Sequence, residues 1–203
     1  DLAWAVHKTD GVFKGYVENL SHSQSVTMAE VKGDGSTVLN LYYNRAKYDL
    51  IVKGENATTT GTMVEVPYET EVTITANPNQ GYEFDRWVIE GEEEGSLEYN
   101  NFVNENGRQN QNAIFKMPAD NITLIAKTKL KKYSITYNLN GGTATGVNPT
   151  EYDKNTPVFT LYNPIKTGYN FAGWSGTDLI ENTMNVTINP ATLVNMVDRE
   201  YEA

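Results

Sequence analysis

Residues that carry acid–base and metal chemistry are scarce in this sequence. Its 203 residues include two histidines, His7 and His22, and no cysteine. Disulfides, thiolate metal sites and cysteine nucleophiles are therefore excluded, and a triad or zinc site has only two imidazoles to draw on. Ser21-His22-Ser23 brings hydroxyls beside an imidazole, but triads are assembled in space rather than in sequence, and a polar loop explains it more simply. Glu92, Glu93 and Glu94, between Gly91 and Gly95, offer carboxylate oxygens. A calcium loop needs donors at fixed spacing closed by a bidentate carboxylate, so a solvated hairpin tip is the better reading. Among 26 acidic residues a glycosidase pair, with carboxyls about 5–9 Å apart, is arithmetically available, but small modules offer no large cleft for it. No catalytic, cofactor-binding or metal-binding residue is assigned. The remaining chemistry is aromatic. Trp87 and Trp174 have faces suited to stacking on sugar rings or, alternatively, to anchoring a small core. Trp4 is the one ligand-binding candidate.

The elements that would position these residues repeat. Gly81-Tyr82-Glu83-Phe84-Asp85-Arg86-Trp87 matches Gly168-Tyr169-Asn170-Phe171-Ala172-Gly173-Trp174 at four of seven positions, and a tyrosine-led strand precedes each, from Tyr48 and from Tyr133. Recurrence of a tryptophan at one place in a repeat favours a shared packing role, so Trp87 and Trp174 are read as core. Trp4 lies outside the repeat. Repetition fixes the architecture before any detailed assignment: one module near 48–130, another near 131–203 with its last strand cut short, and residues 1–47 as the C-terminal part of a preceding β-rich module. Ala126 and Ala203 correspond in this scheme. No Gly/Ser-rich linker separates the modules, which restricts hinge motion.

Within the modules side chains alternate with the period of two expected of strands with one buried face. Tyr133, Ile135, Tyr137 and Leu139 point one way and Ser134, Thr136, Asn138 and Asn140 the other. Val72, Ile74 and Ala76 behave likewise, as do Val186 and Ile188. Asn140-Gly141-Gly142 supplies residues tolerant of positive φ. A strand is expected from Val38 to Arg45, and short helices within Asp10–Asn19 or Pro190–Val197. The fold class is mainly β, or α+β with little helix.

The net charge of −10 disfavours nucleic acid, which attracts clustered Lys and Arg. The basic run Lys127, Lys129, Lys131 and Lys132 reads as a solvated join between modules. No apolar run approaches the roughly 18–20 residues of a membrane span, and no signal-like segment opens the chain, which begins at Asp1 and reads as a piece of a longer protein. Asn56-Ala57-Thr58, Asn121-Ile122-Thr123 and Asn185-Val186-Thr187 match the glycosylation pattern by coincidence, two of them within expected strands. A Lys–Asn isopeptide bond is chemically available, but no local motif points to a pair.

The second module, Tyr133-x-Ile135-x-Tyr137-x-x-Asn140-Gly141-Gly142, then Pro164 and Lys166-x-Gly168-Tyr169-x-Phe171-x-Gly173-Trp174, closely resembles the Listeria-Bacteroides repeat, the B-repeat of internalin B and its relatives. The first resembles the divergent form of that repeat, through Val72-Thr73-Ile74-Thr75-Ala76-Asn77-Pro78, Gly81-Tyr82-x-Phe84-x-x-Trp87 and Phe115-x-Met117-Pro118-Ala119-x-Asn121-Ile122-Thr123. It departs from the pattern at Arg86, where the family has glycine, and in the long acidic stretch from Gly91 to Asn112. Residues 33–43 are similar to the end of mucin-binding-like repeats, without implying mucin binding. The resemblance implies tandem β-grasp-like modules with no catalytic residues and no cofactor. It also implies a place on the cell surface or wall of a bacterium, or secreted from it, as a monomeric stalk or adhesion segment. Host or cell-wall glycans or proteins are the expected partners. The other class of function to weigh is a glycan- or host-protein-binding module using Trp4, loops or strand edges.

Overall fold

The computed structural model describes residues 1–5, 13–92 and 108–203. They form two compact units. The first comprises Asp1–Asn77 and Phe84–Lys127, and the second Pro78–Glu83 and Thr128–Ala203. Among the described residues the chain is almost wholly strand and turn.

In chain order the strands up to the end of the first repeat are β1 Leu2–Trp4, β2 Tyr16–Glu18, β3 Met28–Glu30, β4 Tyr43–Arg45, β5 Lys47–Gly54, β6 Ala57–Thr60, β7 Met63–Pro67, β8 Glu71–Pro78, β9 Tyr82–Ile89, β10 Asn112–Lys116 and β11 Ile122–Leu130. A four-stranded sheet in the order β7-β5-β11-β9 and a three-stranded sheet in the order β10-β8-β6 share one core. At its centre β5 runs parallel to β11, pairing Leu50 with Ile122 and Gly54 with Ala126. The expected alternation is realised: Val72, Ile74 and Ala76 of β8 are buried with Leu50, Val52, Trp87, Phe115 and Leu124.

The second repeat contributes β12 Tyr133–Asn138, β13 Thr143–Ala144, β14 Glu151–Tyr152, β15 Phe159–Thr160, β16 Pro164–Ile165, β17 Ser175–Gly176, β18 Thr187–Ile188 and β19 Arg199–Glu202. Its main sheet has the order β14-β12-β19-β17, flanked by the pairs β13-β16 and β15-β18. Here too the first and last strands are parallel, Ile135 opposite Arg199 and Asn138 opposite Glu202. Setting Tyr48 against Tyr133 makes Ile122 equivalent to Arg199 and Ala126 to Ala203. One polar staple repeats with the register. The Asp49 N–H donates to the Asn121 side-chain oxygen at 2.7 Å, and the Ser134 N–H to the Asp198 carboxylate at 2.7 Å. The Asn121 of the glycosylation-like triplet is thus engaged in closing a sheet.

Three expectations need correction. Of the helix proposed within Asp10–Asn19, residues 10–12 lie outside the described residues, and residues 13–15 form a turn leading into strand β2, because Gly15 at φ +88° leaves the helical region and Val17 stiffens an extended chain. Residues 190–197 hold only a single 3₁₀ turn, Pro190–Thr192, after which Leu193 is extended at ψ 128°. The expected strand from Val38 to Arg45 shrinks to Tyr43–Arg45, preceded by an isolated bridge between Asn40 and Val26.

Trp87 and Trp174 are fully buried in their respective cores. Each packs against the phenylalanine three residues before it, at 5.6 Å between ring centroids. Each indole N–H is also satisfied, by the Asn110 carbonyl at 3.0 Å and the Asn163 side chain at 2.9 Å. Replacing either by alanine is expected to cost about 3–5 kcal/mol, the cost typical of truncating a buried tryptophan. Urea unfolding followed by circular dichroism will measure this, and Trp4→Ala should stay within about 0.5 kcal/mol.

Candidate functional site

Among the described residues, those that first suggested chemistry are not brought together. His22 stacks on Tyr42 at 3.8 Å and accepts the Gln24 N–H at Nδ1 over 3.2 Å, as a loop residue would. His7, Glu93 and Glu94 lie outside the described residues, as does most of the Gly91–Asn112 stretch. Among the described residues no group of three or more His, Asp or Glu side chains is placed to hold a metal ion.

The basic run turns out to be paired. Lys127 meets Glu55 at 2.6 Å, Lys129 meets Glu83 at 3.2 Å, and Lys132 bonds Glu151. Lys131 lies 5.2 Å above the Tyr133 ring. Exposed pairs of this kind contribute little to stability, yet they neutralise the only strip of cations the sequence suggested. No helix among the described residues is long and apolar enough to cross a membrane.

Trp87 and Trp174 are core anchors and offer no face to a ligand. Trp4 differs, being 67 % exposed. It sits on β1 opposite Met28 of β3, with Leu2 two residues away on the same face of this two-stranded sheet. Leu2 and Met28 are exposed as well, so the tryptophan stands in a small apolar face.

The polar cluster that sequence reasoning missed surrounds Arg199, which is only 3 % exposed. Its Nε donates to the Tyr152 hydroxyl at 3.2 Å, Nη1 to the Tyr201 hydroxyl at 3.0 Å and Nη2 to the Asp178 carboxylate at 2.8 Å. The Tyr152 hydroxyl donates in turn to the Val197 carbonyl at 2.6 Å. Burial works against the guanidinium charge, and the hydrogen bonds to Tyr201, Tyr152 and Asp178 more than offset it, so its pKa is raised. A buried charge is tolerable only when its donors are satisfied in this way. A signal was available in Arg199-Glu200-Tyr201-Glu202-Ala203: alternation sends Arg199 inward with Tyr201. Each guanidinium nitrogen has a partner, and the arginine itself is buried within the sheet it holds, so its role is structural.

The fold defines a tandem array of small β repeats, each closed by a parallel pair of first and last strands. Residues 133–194 match the Listeria-Bacteroides repeat domain, and residues 48–131 the divergent InlB B-repeat domain. Both repeats belong to this B-repeat family. Modules of this kind are typical of bacterial surface or secreted proteins, where they serve as repeat or spacer units. No curated protein and no solved structure matches the chain significantly.

Tyr137 provides a pH test of the second core. Burial, together with neighbouring Tyr201, pushes its phenol up to about 12 from an ordinary 10. A raised phenol contributes stability that is complete below pH 10 and is lost as pH rises through the folded-state value of about 12. Tyrosinate absorbance should show one phenol ionising last, removed by Tyr137→Phe, and the substitution should flatten the fall in stability above pH 10.

Proposed function

We propose that this chain is a non-enzymatic spacer segment of a bacterial cell-surface or secreted protein, in which a partial module at 1–47 and repeats at 48–130 and 131–203 hold a more distal domain away from the cell wall. The reading extends to adhesion, in which the segment presents an adhesive domain, and to a monomeric β-grasp-like build for each module. One observation carries it: each repeat spends its distinctive aromatics on its own core. Trp87 and Trp174 are buried, as is Tyr133 at the head of a central strand. Only Lys131 and Lys132 separate β11 from β12, so the chain spends almost nothing on linker. With two histidines and no cysteine in the sequence, the reading gives the repeats no chemistry of their own.

A spacer is defined by what can replace it. On a surface-displayed parent protein, exchanging the two repeats for unrelated folded modules of similar length should preserve access of an antibody to the distal domain, whereas deleting them should abolish it. Loss of function on exchange would reject the spacer reading.

The exposed face of Trp4, Leu2 and Met28 favours a second reading, in which the N-terminal part binds a host or cell-wall glycan or protein. Binding on a glycan or host-protein array that is lost in Trp4→Ala, with folding intact, supports it. Blank arrays count against it.

A further inference from the structure

We propose that the turn at Gly168 and Tyr169 is a docking surface for one more repeat of the same type, a proposal that rests on the spacer reading above. Among the described residues three Gly-Tyr turns share one geometry. The Tyr16 N–H donates to the Phe13 carbonyl at 2.9 Å, that of Tyr82 to Asn79 at 3.0 Å and that of Tyr169 to Lys166 at 3.1 Å. The residue before each tyrosine is a glycine with φ of +88°, +86° and +82° at 15, 81 and 168, the conformation that a turn of this kind reserves for glycine.

The first two turns are capped alike. Within the first unit the Ala46 N–H donates to the Gly15 carbonyl at 2.7 Å, and within the second the Lys131 N–H donates to the Gly81 carbonyl at 3.0 Å. Ala46 and Lys131 each stand two residues before a strand tyrosine, Tyr48 or Tyr133. Each turn tyrosine also carries a partner at one equivalent position. Tyr68 meets Tyr16 edge-on at 5.6 Å, and the Lys154 ammonium lies 5.2 Å from the Tyr82 ring centre. The equivalence follows from register, since Tyr48 pairs with Val66 and Tyr133 with Tyr152, two residues earlier in each case. The fit is close: a Cβ on Gly15 would come 2.4 Å from the Tyr68 ring, and one on Gly81 within 3.1 Å of Lys154 and 3.0 Å of the Met196 sulfur.

The third turn is built the same way and left open. A Cβ on Gly168 would meet nothing within 4 Å, and Tyr169 is 70 % exposed. Its ring is covered only by its own Lys166, whose ammonium lies 4.4 Å from the centroid. After Tyr16 and Tyr82 the chain enters the paired strands β2 and β9, whereas after Tyr169 no strand forms until β17. Beside this unpaired edge is a groove of about 820 Å³ lined by Leu139, Asn140, Lys166, Tyr169, Phe171 and Ala203, among others. In the first repeat the counterpart of Ala203 is Ala126, and the residues after it complete β11, which pairs with β9 and leads to Lys131. The groove therefore lies where an extended segment following Ala203 would complete a sheet edge, as the residues after Ala126 do in the first repeat. Its occupant would be a strand that leads into another repeat. That strand's last backbone N–H would meet the Gly168 carbonyl, and the residue equivalent to Lys154 and Tyr68 would cover Tyr169.

The test compares this chain with one extended after Ala203 by a second copy of residues 127–203 in which Tyr169→Phe removes the duplicate tyrosine, using nitration by tetranitromethane mapped by mass spectrometry, with Tyr82 as internal reference. Tyr169 is expected to react readily in the chain as it stands and at least about tenfold more slowly in the extended chain. Lys154→Asp in the appended copy alone should restore much of the reactivity while leaving the circular dichroism unchanged. Equal reactivity in both proteins overturns the proposal. So does protection that grows with concentration in the unextended chain, since a second copy would then be the occupant. Failure of the spacer reading would show in the module-exchange experiment instead, whatever Tyr169 does.

Discussion

Each repeat depends on one pairing, the parallel contact between its first strand and its last. β5 and β11 are joined from Leu50–Ile122 to Gly54–Ala126, and β12 and β19 from Ile135–Arg199 to Asn138–Glu202. The partners are some 60 to 70 residues apart in sequence, so closing them costs loop entropy that only the whole core repays. The side chains opposing that cost sit on or against these strands. Leu50, Val52, Leu124 and Ala126 are buried in one core, and Ile135, Tyr133 and Tyr201 in the other. The Asn121 and Asp198 staples bind the N–H of the residue after the strand tyrosine, Asp49 or Ser134, and satisfy a donor that the parallel ladder leaves over. A repeat of this size buries a modest fraction of its surface, which leaves little room for a residue that serves a ligand at the expense of packing.

Arg199 shows how the two repeats solve the same position differently. Ile122 in the first is simply apolar. Its counterpart in the second is an arginine whose donors reach two tyrosine hydroxyls and a carboxylate. Once a guanidinium occupies the inner face, Tyr152 and Tyr201 follow as residues that bring both aromatic area and a polar tip. Tyr137 stacks on Tyr201 at 6.2 Å and sends its own hydroxyl to the Pro149 carbonyl at 2.7 Å. Tyr152 and Tyr201 of the second core thus serve the buried charge as well as the packing, whereas the first core, with Ile122 at the equivalent position, has no charge to satisfy there.

Much of this was legible from alternation. The inward set Tyr133, Ile135 and Tyr137, the buried run Val72, Ile74 and Ala76, and the turn at Asn140 and Gly141 are all where period-two patterning and positive-φ preferences put them. The core role of Trp87 and Trp174 was legible from their recurrence. What stayed hidden depends on contacts that sequence does not carry. Nothing local in Lys127, Lys129 and Lys132 says that Glu55, Glu83 and Glu151 will face them. The helix expected within residues 10–19 is absent from the described part, 13–19, because a single glycine at positive φ outweighs the residues around it.

That glycine also explains why a third copy of the repeat's turn was overlooked. Gly81-Tyr82 and Gly168-Tyr169 announce themselves through the phenylalanine and tryptophan that follow, whereas Gly15-Tyr16 is followed by Val17, Glu18 and Asn19 and lacks that signature. Its identity lies in the backbone: the same hydrogen bond across the turn, the same φ and the same carbonyl accepting the N–H two residues before a strand tyrosine. The turn's requirement is for glycine and an aromatic ring, and it is indifferent to the core residues downstream. Selection on a core and selection on a join thus act on different positions of one motif, and the two can diverge separately. In the 1–47 segment the join is kept although the Phe-x-x-Trp pattern is absent. This is the behaviour expected if the glycine–tyrosine turn belongs to the connection between successive repeats more than to the repeat in which it is written.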